Sequence, residues 1–421
     1  MDVRTNETKD IVCSLLSAAL TGCDIPAEAP LSEDAVISEL NAQAVTALIG
    51  DILPRLSWLS ERASKKLTAD VFAAADDYYR YLYEQDRLVR LLERESIPFA
   101  VIKGTAAGYY YPRPEYRAAG DIDIIIKNGQ FDDADRLLCA NGYEPVPERS
   151  DVRDDMRHRE YRRNGREIEL HRYFSCLNDP DKAALLDRYI DGGISRAVTR
   201  EVCGSTFPAL PETETGLVLL GHISQHLQTG LGLRQMLDFM MFSAAFPDDE
   251  NLISDFRHKA EETGLEKIAA CVTGMCSQYL GLKKDAFRSF ADVDGETCSR
   301  LLDYIFERGN MGQKQEGSDI VVTALMKNGG VSGIIKNLQK NGCREWQTLR
   351  EHPSLKPFAW AYMLTRYAKR KKEHRVPQGA FAELKKTSKQ AAASQELCTL
   401  LGVTQLGEKV AVKKDKGYIM Q

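Results

Sequence analysis

The chain has 421 residues, and its 43% hydrophobic and 28% charged content is typical of a globular protein with a substantial core. No apolar run approaches the roughly 20 residues that a membrane helix needs, and the charged start does not resemble a secretory signal. The ten cysteines include no C-x-x-C pair, which argues against a zinc site or a disulfide framework. We therefore expect a cytoplasmic protein that does not contact the membrane.

The charge is distributed unevenly along the chain. Residues 331–421 carry 18 Lys and Arg against 7 Asp and Glu, a net charge of +11, so the first 330 residues carry −16. A basic end on an acidic body permits a nucleic-acid partner, but a solvated tail is the interpretation that we favour.

The start of the chain is expected to be helical. Apolar side chains at three- and four-residue spacing predict helices over residues 10–20, 33–53 and 60–95. Ser32 is a typical helix cap, and Pro54 is a typical stop.

Two short apolar runs in the middle of the chain predict buried strands. Phe99–Ile102 leads into Lys103-Gly104, and a second run covers residues 121–126. Alternation places Asp121 and Asp123 on one face of the second strand and Ile122 and Ile124 on the other. Two neighbouring carboxylates on a buried strand are costly unless a cation lies between them, and a divalent metal is the usual one. A strand end that faces water is the alternative for a lone D-x-D.

A hairpin is predicted further along the chain. Two strand-like runs flank Asn164-Gly165, the strongest short hairpin signal. On the second arm Glu167, Glu169 and His171 share a face, so either glutamate could join the carboxylates of the neighbouring strand.

These elements predict an α+β fold, a small mixed sheet with helices packed on it. Beyond residue 176 the sequence is mainly helical, with a short β segment within 195–210 and helices over 212–228, 233–246, 255–282 and 297–308. We predict four parts: a helical N-terminal region (1–95), a sheet-containing core (96–176), a mainly helical domain (177–330) and a basic C-terminal segment (331–421).

Acidic side chains that converge from neighbouring strands are typical of metal-assisted phosphoryl transfer, because Mg²⁺ prefers oxygen ligands. We expect Asp121 and Asp123 to bind two Mg²⁺ ions, with Mn²⁺ as an alternative, and Glu169 to bind the ion that activates the acceptor. Lys103 and Gly104 are expected to cradle phosphate, because glycine lets a backbone N–H approach an anion.

Several other polar residues have more than one interpretation. Arg117 either reaches a triphosphate or neutralises the aspartates. His222 and His226 lie one helical turn apart, and either support the structure or contact nucleotide, since the segment lacks the glutamate of a zinc protease. Arg234 and Asp238, also one turn apart, could pair with each other.

Taken in order, the motifs resemble one known family over roughly residues 60–300. They are Lys103-Gly104, R-x-x-G-D-I-D from Arg117 to Asp123, Glu169-Leu170-His171, H-x-x-x-H at His222 and His226, and G-L-R-x-x-x-D from Gly232 to Asp238. This set resembles the uncharacterised nucleotidyltransferase family of the DNA polymerase β-like superfamily.

The resemblance implies that D-x-D and a third acid bind Mg²⁺ and transfer a nucleoside monophosphate (NMP) from ATP or another nucleoside triphosphate (NTP). It implies nucleotide contacts from Lys103, Gly104, Thr105, Arg117, His171 and Arg234. The chain departs from the superfamily at two points. Gly104-Thr105 replaces the usual Gly-Ser and lies further upstream, and Glu169 replaces the more usual Asp.

Two functions of different classes follow. The first is an Mg²⁺-dependent nucleotidyltransferase acting on a hydroxyl of a small molecule, a protein or an RNA. The alternative is a catalytically weak or inactive nucleotide-binding or regulatory protein on the same scaffold, which the two departures would favour.

Overall fold

The computed structural model of the protein describes residues 3–26, 28–146, 157–174, 177, 179–227, 230–283, 293–310, 339, 353–362, 365 and 396–403. Within these ranges, no helix combines the length and the apolar character needed to cross a membrane. The predicted basic segment, 331–421, lies mostly outside them.

The described residues form a mixed fold of helices and strands, which confirms the α+β prediction. The α-helices are α1 (Val3–Thr21), α2 (Glu33–Ala42), α3 (Glu61–Arg94), α4 (Gly104–Gly108), α5 (Phe131–Ala140), α6 (Pro180–Ile194), α7 (Glu212–His226), α8 (Leu233–Ala244), α9 (Glu250–Thr263), α10 (Glu266–Tyr279) and α11 (Gly295–Arg308). The strands are β1 (Phe99–Ile102), β2 (Ile122–Ile126), β3 (Glu144–Pro145), β4 (His158–Arg163), β5 (Arg166–His171), β6 (Val198–Val202) and β7 (Ser205–Ala209). They form one sheet in the order β3-β4-β5-β2-β1-β7-β6.

Two helices that the sequence predicts as continuous are each interrupted by a residue with positive φ. The helix predicted over 33–53 becomes α2 and a 3₁₀ helix, Thr46–Arg55, with Ala44 between them at a φ of 55°. The helix predicted over 255–282 becomes α9 and α10, separated at Gly264, whose φ is 71°. A left-handed residue ends the α-helical path of the backbone, so neither run continues as one helix.

The sheet buries apolar side chains on both faces. Ile122 and Ile124 pack in a cluster with α3 and α5, while Ile102 and Ile125 pack with the helices that follow residue 180. Full burial of each such side chain contributes about 1.5–3 kcal/mol. Because side chains alternate along β2, Asp123 lies on the face opposite Ile122 and Ile124, as the sequence predicts, and so faces the second group of helices.

The predicted hairpin forms around Asn164-Gly165. Both residues have positive φ, 48° and 78°, which a tight two-residue turn between twisted strands requires. This turn sets the register of β4 against β5, so that His158 lies opposite His171.

The sheet extends past the core predicted to end at residue 176. The hairpin of β6 and β7 joins it, because β7 pairs in parallel with β1 through Val101 and Ala209. The short β segment predicted within 195–210 is therefore part of the central sheet.

A buried ion pair fastens the segment before β2 to the helical side. Arg117 donates two hydrogen bonds to the Asp238 carboxylate on α8, each of 2.7 Å. Tyr111 donates a third to Asp238, at 2.9 Å. Arg117 and Asp238 are 4% and 2% exposed, so neither charge has water to replace its partner.

We predict that Arg117→Met lowers the free energy of unfolding by about 3–5 kcal/mol, because it leaves a buried carboxylate without its cation. Arg80→Met is the matched control, since Arg80 pairs with Asp76 on the exposed surface of α3. It should change stability by less than about 1 kcal/mol. Urea denaturation measures both, and equal losses would contradict a structural role for the buried pair.

Candidate functional site

The pairing of β2 with β5 brings the predicted carboxylates together. The strands are parallel, and their register places Asp123 beside Glu169. Asp121 comes one residue before β2 and lines the same cavity as these two side chains. Glu167 is instead exposed and pairs with Arg162 at 2.8 Å. The geometry therefore favours Glu169 over Glu167 as the third carboxylate of the cluster.

Lys103 lies among the carboxylates. Its Nζ is 2.6 Å from Asp123 Oδ1 and 3.8 Å from Glu169 Oε2. Burial alone would lower the pKa of Lys103, but Asp123 and Glu169 outweigh it, so its pKa is raised. Lys103 has a φ of 53°, a conformation that costs a non-glycine residue about 1–3 kcal/mol.

Gly104 allows the backbone that follows β1 to pass close to α3. Its φ is 32°, and an added Cβ would lie 2.3 Å from the hydroxyl oxygen of Tyr81. Glycine is therefore required here by space as well as by conformation.

Two histidines of the hairpin also face the carboxylates. Nε2 of His171 lies 3.0 Å from Asp123 Oδ1 and 3.2 Å from Glu169 Oε2. Nε2 of His158 lies 3.8 Å from Glu169 Oε1. His158 was not among the site residues predicted from the sequence. The hairpin register places it opposite His171, and this position could have identified it as a candidate.

The electrostatics of the cluster differ from one carboxyl group to the next. Burial, together with the charges of Asp123 and Glu169, raises the pKa of Asp121 to about 6. Burial also opposes ionisation of Glu169, but a hydrogen bond from His171 and the charge of Lys103 hold its pKa below the usual range. Burial is the largest cause of the raised pKa of Asp121, and among the neighbouring charges Asp123 and Glu169 outweigh Lys103.

Helices α7 and α8 form the opposite wall. His222 and His226 of α7 approach each other with their Nε2 atoms 2.9 Å apart. Burial, followed by the charge of Lys103, lowers the pKa of His222 well below the usual value and that of His226 to about 4. Both rings are therefore neutral near pH 7 and offer hydrogen bonds without charge.

Arg234 supplies the cation of this wall. Its Nη1 donates to the carbonyl oxygen of Ala118 at 3.1 Å, and its Nε is buried without a hydrogen-bond partner among the described residues. Burial and the neighbouring Arg117 lower its pKa. Asp238, which could have paired with Arg234 one turn away, instead binds Arg117.

The two walls enclose a cavity of about 390 Å³. It is lined by Ala44, Lys103, Gly104, Arg117, Ala118, Ala119, Gly120, Asp121, Asp123, Arg157, His158, Glu169, His222, Gln225, His226, Arg234 and Asn310.

Three residues expected to bind nucleotide have other contacts or lie elsewhere. Thr105 is fully buried and donates to Gln85 Oε1 at 2.7 Å, away from the cavity lining. Arg117 reaches the cavity wall, but its guanidinium is engaged by Asp238. His171 faces the carboxylates and is absent from the lining itself.

The donor atoms suit a divalent ion. Asp121, Asp123 and Glu169 offer carboxylate oxygens, the ligands that Mg²⁺ prefers. After burial, the charges of Asp123 and Glu169 raise the pKa of Asp121, and a bound cation would neutralise those charges.

Comparison with known proteins agrees with the motifs. A family model described as "Uncharacterised nucleotidyltransferase" matches residues 30–281. No curated protein matches the chain. Among solved structures, an antigenic nucleotidyltransferase-like protein from Paracoccidioides brasiliensis is 14% identical, and the match covers 48% of this chain and 94% of that one. Its TM-score of 0.28 is too low to support any argument about this chain.

The family match spans more than half of the chain and includes the three carboxylates, the three histidines of the cavity lining and Arg234. The chain therefore belongs to the uncharacterised nucleotidyltransferase family.

Proposed function

We propose that the protein transfers an NMP from an NTP to a hydroxyl group of an acceptor, in a reaction that depends on Mg²⁺. The observation that carries this proposal is the convergence of Asp121, Asp123 and Glu169 at a cavity whose opposite wall presents Arg234.

The size and polarity of the cavity suit a metal–triphosphate complex. About 390 Å³ lies within the usual range for small-molecule sites, roughly 300–1,000 Å³. The sheet wall is acidic and the α8 wall carries a buried guanidinium. A triphosphate bound with its metal ions carries charges of both signs, so it complements both walls.

Asp121 and Asp123 would hold both metal ions, and Glu169 would hold the ion on the acceptor side. When bound, such ions act as Lewis acids and offset the charge on the attacking and leaving oxygens. Mg²⁺ is the expected ion, with Mn²⁺ as an alternative.

The protein groups would orient the substrates. Arg234 and Lys103 would contact the phosphates, while neutral His222 and His226 would add hydrogen bonds. The acceptor oxygen bonds to the α-phosphorus as the bond from that phosphorus to the bridging oxygen breaks, and pyrophosphate leaves. The hydroxyl proton would pass to solvent water, because the lowered pKa of Glu169 makes that carboxylate a poor base.

The acceptor is unidentified and is a small molecule, a protein or an RNA. RNA binding through the basic segment 331–421 stays a prediction, because that segment lies mostly outside the described residues.

The test uses the purified protein with Mg²⁺ or Mn²⁺ and each of the four α-labelled NTPs, with and without a cell extract as the source of acceptor. Label moving to an extract component, with release of pyrophosphate, supports the transferase. Metal-dependent NTP binding without transfer would favour the regulatory alternative.

In this assay, Asp123→Asn and Glu169→Gln should each reduce transfer by on the order of a hundredfold or more, because each removes a group that acts on the transition-state charge. Glu167→Gln is the matched control, since it makes the same change two residues away on an exposed side chain paired with Arg162. Circular dichroism checks that the variants fold. Transfer that survives Asp123→Asn in a folded protein would refute the assignment.

The raised pKa of Asp121 gives a prediction about stability without metal. Because its pKa rises from 3.8 unfolded to about 6 folded, the folded state binds this proton more tightly. The stabilisation from this proton is full below pH 4 and is lost as the pH rises through 6. Asp121→Asn should therefore stabilise the metal-free protein at pH 8 by about 1–2 kcal/mol, and by much less at pH 4.

Thermal unfolding in EDTA at both pH values measures this difference. Added Mg²⁺ should then stabilise the unmodified protein more than Asp121→Asn, because the ion relieves the same repulsion. If Asp121→Asn is less stable than the unmodified protein at pH 8, the ionised Asp121 carboxylate does not destabilise the metal-free fold.

A further inference from the structure

We propose that His158, Glu169 and His171, with Asp123 beside them, form a mixed nitrogen and oxygen site that binds a first-row transition ion in preference to Mg²⁺. This inference rests on the proposed function, because the site would be the acceptor-side ion position of the transferase.

The strand pairing assembles this donor set. His158 lies opposite His171 across the hairpin, with ring centroids 5.1 Å apart. Their Nε2 atoms approach different oxygens of the same carboxylate, Glu169 Oε1 at 3.8 Å and Oε2 at 3.2 Å. Asp123 adds a further oxygen, 3.0 Å from His171 Nε2.

An ordinary hydrogen bond accounts for only part of this arrangement. A neutral imidazole carries one N–H, yet Nε2 of His171 lies within hydrogen-bonding distance of oxygens from both Asp123 and Glu169. One proton cannot serve both acceptors well, and the Lys103 ammonium is 2.6 Å from Asp123 Oδ1 but 3.8 Å from Glu169 Oε2. A metal cation bound between Glu169 and the two rings would interact with the carboxylate and with the ring nitrogens.

The spacing of the donor atoms is close to that of a metal site. One donor atom each from His158, Glu169 and His171 lies within 4.8 Å of the others. Metal–nitrogen and metal–oxygen bonds of about 2.0–2.2 Å place two ligands of one ion about 3–4.2 Å apart. The separations of up to 4.8 Å are only slightly longer than this range, so a small side-chain movement would bring all three donor atoms onto one ion.

The chemistry of the donors determines the class of ion. Mg²⁺ takes oxygen ligands, whereas imidazole suits first-row transition ions, whose affinity for such sites rises from Mn²⁺ toward Cu²⁺. Asp121 is not among the donors grouped with His158 and His171, and its carboxylate oxygens suit Mg²⁺. The two ion positions of the site would therefore differ, one suited to Mg²⁺ that arrives with the nucleotide and one to a transition ion.

Mn²⁺ is the probe for this proposal, because it is paramagnetic and stands at the weak end of the series. Titration of the nucleotide-free protein with Mn²⁺, followed by EPR, gives the affinity, and pulsed EPR detects coupling of the electron spin to imidazole nitrogen. We expect Mn²⁺ to bind at least about tenfold more tightly than competing Mg²⁺, with coupling to imidazole nitrogen.

His158→Gln and His171→Gln should each weaken Mn²⁺ binding by at least about tenfold and reduce the nitrogen coupling, since even outer-shell partners of a metal contribute this much. His258→Gln is the matched control, since His258 is an exposed histidine of α9 that pairs with Glu262 at 3.5 Å, and it should leave both readouts unchanged. His171 is 1% exposed, so if its variant does not fold, the half-buried His158 carries the test.

Mn²⁺ bound without nitrogen coupling, or equal affinities for Mn²⁺ and Mg²⁺, would overturn the inference. So would folded His158→Gln protein that binds Mn²⁺ like the unmodified protein. These readouts need neither nucleotide nor turnover. Nitrogen coupling without any NMP transfer would therefore reject the proposed function alone, and transfer with an all-oxygen Mn²⁺ site would reject this inference alone.

Discussion

The parallel pairing of β2 with β5 is the constraint on which the rest of the site depends. It sets Asp123 beside Glu169, and alternation turns both carboxylates away from the apolar core under α3. Ionised carboxylates that lie close together in a half-buried site raise the free energy of the folded protein. Lys103, 2.6 Å from Asp123, offsets part of this cost, but burial and the charges of Asp123 and Glu169 still raise the pKa of Asp121 to about 6. A site with this residual charge is prepared for cations.

The helical side completes the site and also holds it in place. Asp238 on α8 binds Arg117, which fixes the segment leading into the D-x-D strand. One turn earlier on the same helix, Arg234 presents its guanidinium to the cavity. Any shift of α8 relative to the sheet would therefore disturb both the position of the carboxylates and the cation opposite them. The same helix therefore helps to hold the carboxylates in place and supplies the cation opposite them.

Local rules allowed much of this arrangement to be predicted from the sequence. The two faces of the D-x-D strand follow from alternation, and the Asn164-Gly165 hairpin follows from turn chemistry. Contacts between distant segments did not follow, because nothing local encodes them. The pairing of Arg117 with Asp238 spans 121 residues, and the burial of Thr105 against α3 depends on tertiary packing. His158 could have been identified from the sequence, since the hairpin turn alone determines that His171 lies opposite it.

The central claim is that one cavity between the sheet and α7–α8 binds both metal and nucleotide. A crystal structure with Mn²⁺ and a non-hydrolysable NTP analogue, with anomalous scattering to locate the metal, tests it most directly. The account predicts anomalous peaks at the oxygens of Asp121, Asp123 and Glu169, with the triphosphate between them and Arg234. Nucleotide bound elsewhere, for example in the separate cavity of about 890 Å³ beside α6, with no metal at these carboxylates, would contradict it.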